Sequence, residues 1–454
     1  MTMIGLEIHI QLPTKSKMFC SCPNAVSDEP NSTVCPVCLG LPGSKPSVNR
    51  KAVEFAATAA KTLHCNLLDK TWFSRKTYFY PDLAKNFQIT QFEAPVGTDG
   101  YLEITDRKIR IWRVHMEEDP ARAVHDLSPD QEFSLLDYNR SGVPLIEIVT
   151  APDMDSPVQA REFLRTLLDE LRYVGVVVEG EDLKIRADAN ISIKGGERVE
   201  VKNVTGLRNL ERCLDFELMR QEKLSKARMS VKRETRSFDE EKGVTVASRE
   251  KEEEQDYGYI FEPDLPVYDL KLISAGIRFP MTATEKAADL EKRLKLPAAE
   301  TRMLLLSSKP LGDLLEDIAK RVDGKHALRW LNTAVKAEHY KHPEVELKKV
   351  AGEIERVIAA FAAEKISDSV VKSAIKMVFE IGTAGELVEL EVAGDVLSGI
   401  IVEILKREPH LAEKIKKEPK AINHLVGLVM KETKGRYDAR KIAEVIREKV
   451  EKSP

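Results

Sequence analysis

The residues best placed for chemistry open the chain, in Ile4-Gly5-Leu6-Glu7-Ile8-His9-Ile10-Gln11-Leu12. Apolar and polar side chains alternate strictly, which predicts a strand with Ile4, Leu6, Ile8, Ile10 and Leu12 on one face. Glu7 and His9 then share the other face, roughly 7 Å apart along the strand. A carboxylate and an imidazole at that spacing suit a hard cation. The pattern returns in Ile185-Arg186-Ala187-Asp188-Ala189-Asn190-Ile191-Ser192-Ile193 and, more briefly, in Val199-Glu200-Val201-Lys202. A looser copy, Ile109 to Asp119, ends in His115-Met116-Glu117-Glu118-Asp119. Antiparallel sheets commonly bury one face and wet the other, so these strands predict a polar floor. Glu7, His9, Glu117, Glu118, Asp119 and Asp188 form its carboxylate-rich constellation. Oxygen ligands with one imidazole suit magnesium or manganese, and such a cation neutralises phosphates in phosphoryl transfer.

A second metal site is signalled by cysteines. Cys20-Ser21-Cys22, twelve residues, then Cys35-Pro36-Val37-Cys38 fits a tetrahedral four-thiolate zinc site with no open position. That makes the expected zinc structural; a redox pair and a chance cluster are the competing readings. Cys65 and Cys213 stand alone and read as small buried side chains. No P-loop and no Gly-x-Ser-x-Gly elbow occur. Basic and aromatic residues mix in Ser74 to Leu83 and in Asp137 to Pro144, and Arg233-Glu234-Thr235-Arg236 adds two guanidiniums; such groups grip phosphates and stack on bases.

These motifs need elements to hold them. At 454 residues the chain suits two to four domains. Strand patterns, Gly and Pro dominate to about Pro280, and helical periodicity follows. The expected class is α+β: an N-terminal antiparallel β-rich cradle with a zinc knuckle over 1–281, a helical domain over 282–405, and a small helical tail over 406–454. Residues 351–405 carry ten acidic and four basic side chains, whereas 409–454 carry twelve basic and seven acidic. The net charge of −4 excludes a uniformly basic nucleic-acid binder but not a local basic patch. Arg249 to Asp256 reads as a solvated charge run. With no apolar run of membrane-spanning length and no leader pattern, the chain is expected in the cytoplasm.

The blocks together resemble a known family, the B subunit of the aspartyl/glutamyl-tRNA amidotransferase (GatB). The resemblance rests on Gly5 to Leu12, Cys35 to Gly43, Tyr78-Phe79-Tyr80-Pro81-Asp82-Leu83, His115 to Asp119, Asp137 to Leu145, Asp188-Ala189-Asn190, Lys202-Asn203, Gln255-Asp256-Tyr257 and Glu262 to Pro266. Leu425 to Lys431 with Thr433-Lys434-Gly435 looks like that family's YqeY-type tail. The archaeal sister subunit GatE shares the opening strand but has an inserted domain with no counterpart here.

The resemblance implies an ATP-dependent ligase. The B subunit would phosphorylate the side-chain carboxylate of misacylated Glu-tRNA or Asp-tRNA. Ammonia from a partner amidase subunit (GatA), in a heterotrimer with a small subunit (GatC), would then displace phosphate. On matching positions it implies Glu7, His9, Glu118 and Asp188 as magnesium ligands, with Glu117 beside them. Lys202 and Arg236 would stabilise phosphoryl charge, and Tyr80, Lys85, Asn139, Arg140 and Asn190 would meet the nucleotide or acceptor end. The basic tail would touch the tRNA body. One departure, Glu179-Gly180-Glu181-Asp182 in place of the family's Glu-Gly-Ser run, puts an extra acid near the nucleotide. The alternative of another class is a non-catalytic, tRNA-binding zinc scaffold.

Overall fold

The computed structural model describes residues 2–25, 27–124, 134–178, 185–248, 258–388, 394–408, 410–411, 415, 422–432 and 439–451. The Glu179–Asp182 departure, the Arg249–Asp256 charge run, Gln255 to Tyr257 and Thr433 to Gly435 lie outside them. The chain forms two compact units, Met1–Thr282 and Ala283–Pro454. The first is sheet-rich and the second helical, which is the expected α+β class.

A nine-stranded sheet organises the first unit, and the opening strand, Thr2–Gln11, lies at its centre. On one side follow Arg186–Ile193, Val199–Thr205, Glu234–Asp239 and Val244–Ala247. On the other follow Pro144–Thr150, Lys108–Glu118, Gly97–Glu103 and Asn66–Leu67. Every neighbouring pair is antiparallel except Val199–Thr205 with Glu234–Asp239, which run parallel.

The apolar face behaves as its alternation requires. Ile4, Leu6, Ile8 and Ile10 are each at most 1% exposed. Burial of each such side chain contributes about 1.5–3 kcal/mol. Three helices supply much of the rest of this core: α1 (Arg50–Thr62), α2 (Pro157–Tyr173) and α3 (Leu207–Lys226). Asn49 caps α1 by accepting from the Lys51 and Ala52 N–H groups, and Ser156 caps α2 with Pro157 in its first turn. The buried side of α1 is mostly alanine, so its backbone approaches the sheet closely. Gly100 marks the tightest approach: a Cβ there would meet the Leu63 carbonyl at 2.4 Å. With helices on one face, the other is left to Glu7, His9 and their neighbours.

In the second unit the apolar side chains form two separate cores. One runs from Leu290 to Val388 and the other from Leu397 to Ile446. Helix Gly394–Arg407 contributes Leu397, Ile401 and Ile404 to the later core. The expected break at 405/406 therefore falls inside a helix that packs with the tail. The charge shift that suggested it is a surface property, whereas the core begins earlier.

Candidate active site and metal centres

Strand register assembles the floor. His9 pairs across the sheet with Glu147 on one side and Arg186 on the other. Glu7 pairs with Asp188 and Glu147 with His115. Antiparallel partners share a face, so Glu7, His9, His115, Glu117, Glu147, Asp188 and Arg186 all project to the side away from the helices. Within this set and its neighbour Glu200, two triads bring ligand atoms within 4.8 Å of one another: His9, Glu117 and Glu147; and Glu7, Asp188 and Glu200.

In the first triad His9 Nε2 lies 3.3 Å from Glu117 Oε1 and 3.6 Å from Glu147 Oε2. His115 Nε2 meets Glu147 Oε2 at 3.0 Å. Burial disfavours a charged His9, but Glu147 and Glu117 outweigh it and push its pKa up to about 9. Burial likewise raises Glu117, whereas the two histidines outweigh burial at Glu147 and hold it well below the usual carboxylate range. In the second triad burial and the neighbouring acids raise Glu7, and burial raises Asp188. Asn190 donates to Glu7 Oε1 at 3.0 Å, and the Asn203 N–H donates to Asp188 Oδ1 at 2.7 Å. Lys202 Nζ stands 3.9 Å from Glu200. Crowded carboxylates that resist ionising together form a site a divalent cation would relieve.

The register separates several expected site residues from this floor. Glu118 follows Glu117 directly, so it points to the opposite face, where it pairs with Lys85 and accepts from the Ile89 N–H at 2.9 Å. Both Glu118 and Lys85 are thus away from the expected magnesium position. Arg236 pairs in register with Val201, an apolar-face residue. Its guanidinium binds Glu234 at 3.0 Å and Thr245 at 2.8 Å, and lies 3.5 Å from the fully buried Glu217 of α3. This places Arg236 in a structural ion network under the sheet. Asn139 bonds Thr33 and Glu29 in the cysteine loop. Arg140 is bidentate to Asp119, at 2.5 and 2.8 Å. Tyr80 is on the surface, 55% exposed. Arg236→Met is expected to lower unfolding free energy by about 1–2 kcal/mol: its bonds to Glu234 and Thr245 are lost, while Glu217 keeps the bidentate Arg220 as its partner. Denaturant melts of the wild type and variant check it.

Two floor acids escape a reading of the sequence alone. Glu147 lies in Pro144–Thr150, a strand buried along its whole length, so no alternation advertises it. A single charged residue in an apolar strand is the available signal. Glu200 lies in a strand whose alternation is plain, and only the register shows that it joins Glu7 and Asp188.

The four clustered cysteines converge on a second centre, with all four sulfurs within 4.8 Å of one another. Cys35 and Cys38 Sγ are 3.8 Å apart. Tetrahedral thiolates at 2.3 Å from a common ion would sit about 3.8 Å apart. No disulfide joins them. A hydrogen bond from Cys20, the Cys35 N–H and nearby Lys17 hold Cys38 below the usual thiol range. Lys17 is fully buried, with Nζ 3.7 Å from Cys38 Sγ. These cysteines could hold a metal ion.

A family model described as "GatB/GatE catalytic domain" matches residues 2–273, and one described as "GatB domain" matches 313–450. The chain belongs to the GatB family. Among relatives named as the B subunit of an aspartyl/glutamyl-tRNA(Asn/Gln) amidotransferase, that of Saccharolobus solfataricus is 38% identical, over 99% of both chains. That of Methanospirillum hungatei is 38% identical over 99% of this chain and 98% of its own. The Sulfolobus acidocaldarius protein is 39% identical over 99% and 100%. The GatB match covers both the polar floor and the helical unit. Among the described residues no helix is long and apolar enough to cross a membrane.

Proposed function

We propose that this chain is the activating subunit of a tRNA-dependent amidotransferase. Its acceptor is the side-chain carboxylate of glutamate or aspartate esterified to a mismatched tRNA. An oxygen of that carboxylate attacks the γ-phosphorus of ATP, and ADP leaves with the bridging oxygen. The acyl phosphate then meets ammonia, which attacks the carbonyl carbon. Phosphate departs, the nitrogen loses a proton, and the product is glutaminyl- or asparaginyl-tRNA. The activation is needed because a bare carboxylate resists nucleophiles. Ammonia would come from an amidase subunit, with a small third subunit completing the complex. The basic tail suits the tRNA body.

The observation that carries this reading is the pair of adjoining triads on one continuous strand face. Glu7, Asp188, Glu200, His9, Glu117 and Glu147 would hold magnesium or manganese, which supplies charge neutralisation for the phosphates. Lys202, beside Glu200, supplies a further positive charge at that end. His9 must give up its proton to act as a ligand, so cation affinity should weaken as pH falls below about 9. The ion in the cysteine cluster is read as structural zinc, since four thiolates leave no open position.

The test bypasses the amidase. The full chain, assembled with its partner subunits, receives ATP, magnesium, free ammonium and glutamyl-tRNA. Amide product is expected, and Glu7→Ala should remove it without changing the circular-dichroism spectrum. A folded wild-type complex that forms no amide would leave only the scaffold reading.

A further inference from the structure

The floor carries a cation that the mechanism above leaves unused. Arg186 pairs in register with His9 and lies two residues from Asp188 on the same strand face, so it borders a member of each triad. Its side chain is 27% exposed. Among the described residues its one hydrogen-bond partner is Asp119, reached through Nη2 at 2.8 Å. A guanidinium has five N–H donors in a rigid fork, so most of its capacity is unspent.

Asp119 does not neutralise it. That carboxylate is buried, at 4% exposure, and its Oδ1 also accepts from Arg140 Nη2 at 2.8 Å. Arg140 Nε takes the other oxygen at 2.5 Å. Two guanidiniums on one carboxylate leave a net positive charge, and Asp119 is itself fixed by backbone bonds to Val143 and Gly142. Other cations at the floor face its acids: His9 and His115 face Glu117 and Glu147, Lys76 acts on Glu117, and Lys202 stands by Glu200. Arg186 is therefore a pre-aimed anion receptor on an otherwise acidic surface.

Resting on the reading under Proposed function, we propose that Arg186, held by Asp119 and backed by Arg140, grips the side-chain carboxylate of the aminoacyl group as it is phosphorylated. An anionic acceptor approaching a triphosphate over a carboxylate floor is repelled at every turn. A forked guanidinium offsets that repulsion and aligns one carboxylate oxygen while the other attacks. Its strand position, next to His9 and two residues from Asp188, puts it at the edge of the face expected to carry the γ-phosphoryl group.

The assembled complex, supplied with ATP, magnesium, ammonium and glutamyl-tRNA, tests this through two readouts. Hydroxylamine traps the acyl phosphate as a hydroxamate, and initial rates give the KM for ATP. Arg186→Gln is expected to lower trapped hydroxamate and amide kcat by about a hundredfold, with the KM for ATP within about twofold. Arg186→Lys keeps the charge and the Asp119 contact but loses the fork, and should recover about a tenth of the activity. If Arg186→Gln does not fold, as judged by its melting curve, the lysine variant decides alone. Activity within about threefold of wild type in the decisive variant would overturn the proposal. So would a loss that appears as a raised KM for ATP, which would assign Arg186 to the nucleotide. In both cases wild-type turnover leaves the amidotransferase reading standing, whereas a wild type inactive with ammonium would remove both.

Discussion

Replacing Glu147 with glutamine is expected to cut ATP-dependent amide formation at least about a hundredfold, since outer-shell losses alone cost roughly 10–100-fold at metal sites. Glu147 is the hub of the first triad: one oxygen receives His115 at 3.0 Å and lies 3.6 Å from His9. Glutamine keeps the shape and removes the charge. The variant loses a ligand, and it also loses the anion that lifts His9 towards 9. His9 should then titrate closer to its ordinary range. Glu118→Gln is the informative companion, because Glu118 faces Lys85 on the other side of the same strand. Steady-state amide formation with free ammonium, beside the melting curves of both variants, checks the contrast. Equal losses in the two at matched stability would contradict the assignment of faces.

Cys38→Ser is expected to abolish metal binding at the cysteine cluster, whose four sulfurs could hold an ion, and to loosen everything the cysteine loop holds. Structural zinc sites contribute roughly 10–16 kcal/mol of binding energy to local folding. The loop is otherwise held by hydrogen bonds among exposed polar groups, such as Ser27 with Ser32 and Asn31 with Asp137, and it is the anchor for the turn at 137–142. Asn139 bonds Thr33 and Glu29, Ser141 donates to the Cys38 carbonyl, and Met18 N–H donates to Gly142 O at 2.7 Å. Gly142 holds φ at +83°, a conformation that resists most replacements. Arg140 sits in this turn and carries its order to Asp119 and so to Arg186. Cys38→Ser should therefore lower metal content to near zero, expose the 22–35 segment to proteases, and reduce turnover as a secondary effect. Elemental analysis and limited proteolysis measure the first two. A variant that retains its metal and resists cleavage would mean that Cys38 is not a ligand.

Much of this was legible in the sequence where period-two alternation is clean. The Thr2–Gln11 and Arg186–Ile193 strands announced both their buried and polar faces, and the cysteine spacing announced its cluster. The failures have physical causes. Glu117 and Glu118 are consecutive in one strand, so the alternation that marks the opening strand sends them to opposite faces. Arg236 belongs to a strand joined in parallel to its neighbour, and no local pattern reveals that its partner is apolar Val201. Glu147 hid in a strand with both faces buried, and Glu200 became a site residue only through register. Asn139, expected at the nucleotide or acceptor end, fastens the 137–142 turn to the cysteine loop, and side chains that do this carry the same polar chemistry as those that bind ligands.

The central claim is that one sheet face holds divalent cations in two adjoining triads. Crystals of the full chain soaked in manganese, with anomalous scattering recorded above and below the metal's absorption edge, test it most directly. The account predicts a peak among His9, Glu117 and Glu147 or among Glu7, Asp188 and Glu200. A peak beside Glu118 and Lys85, or none on this face at saturating manganese, would contradict it.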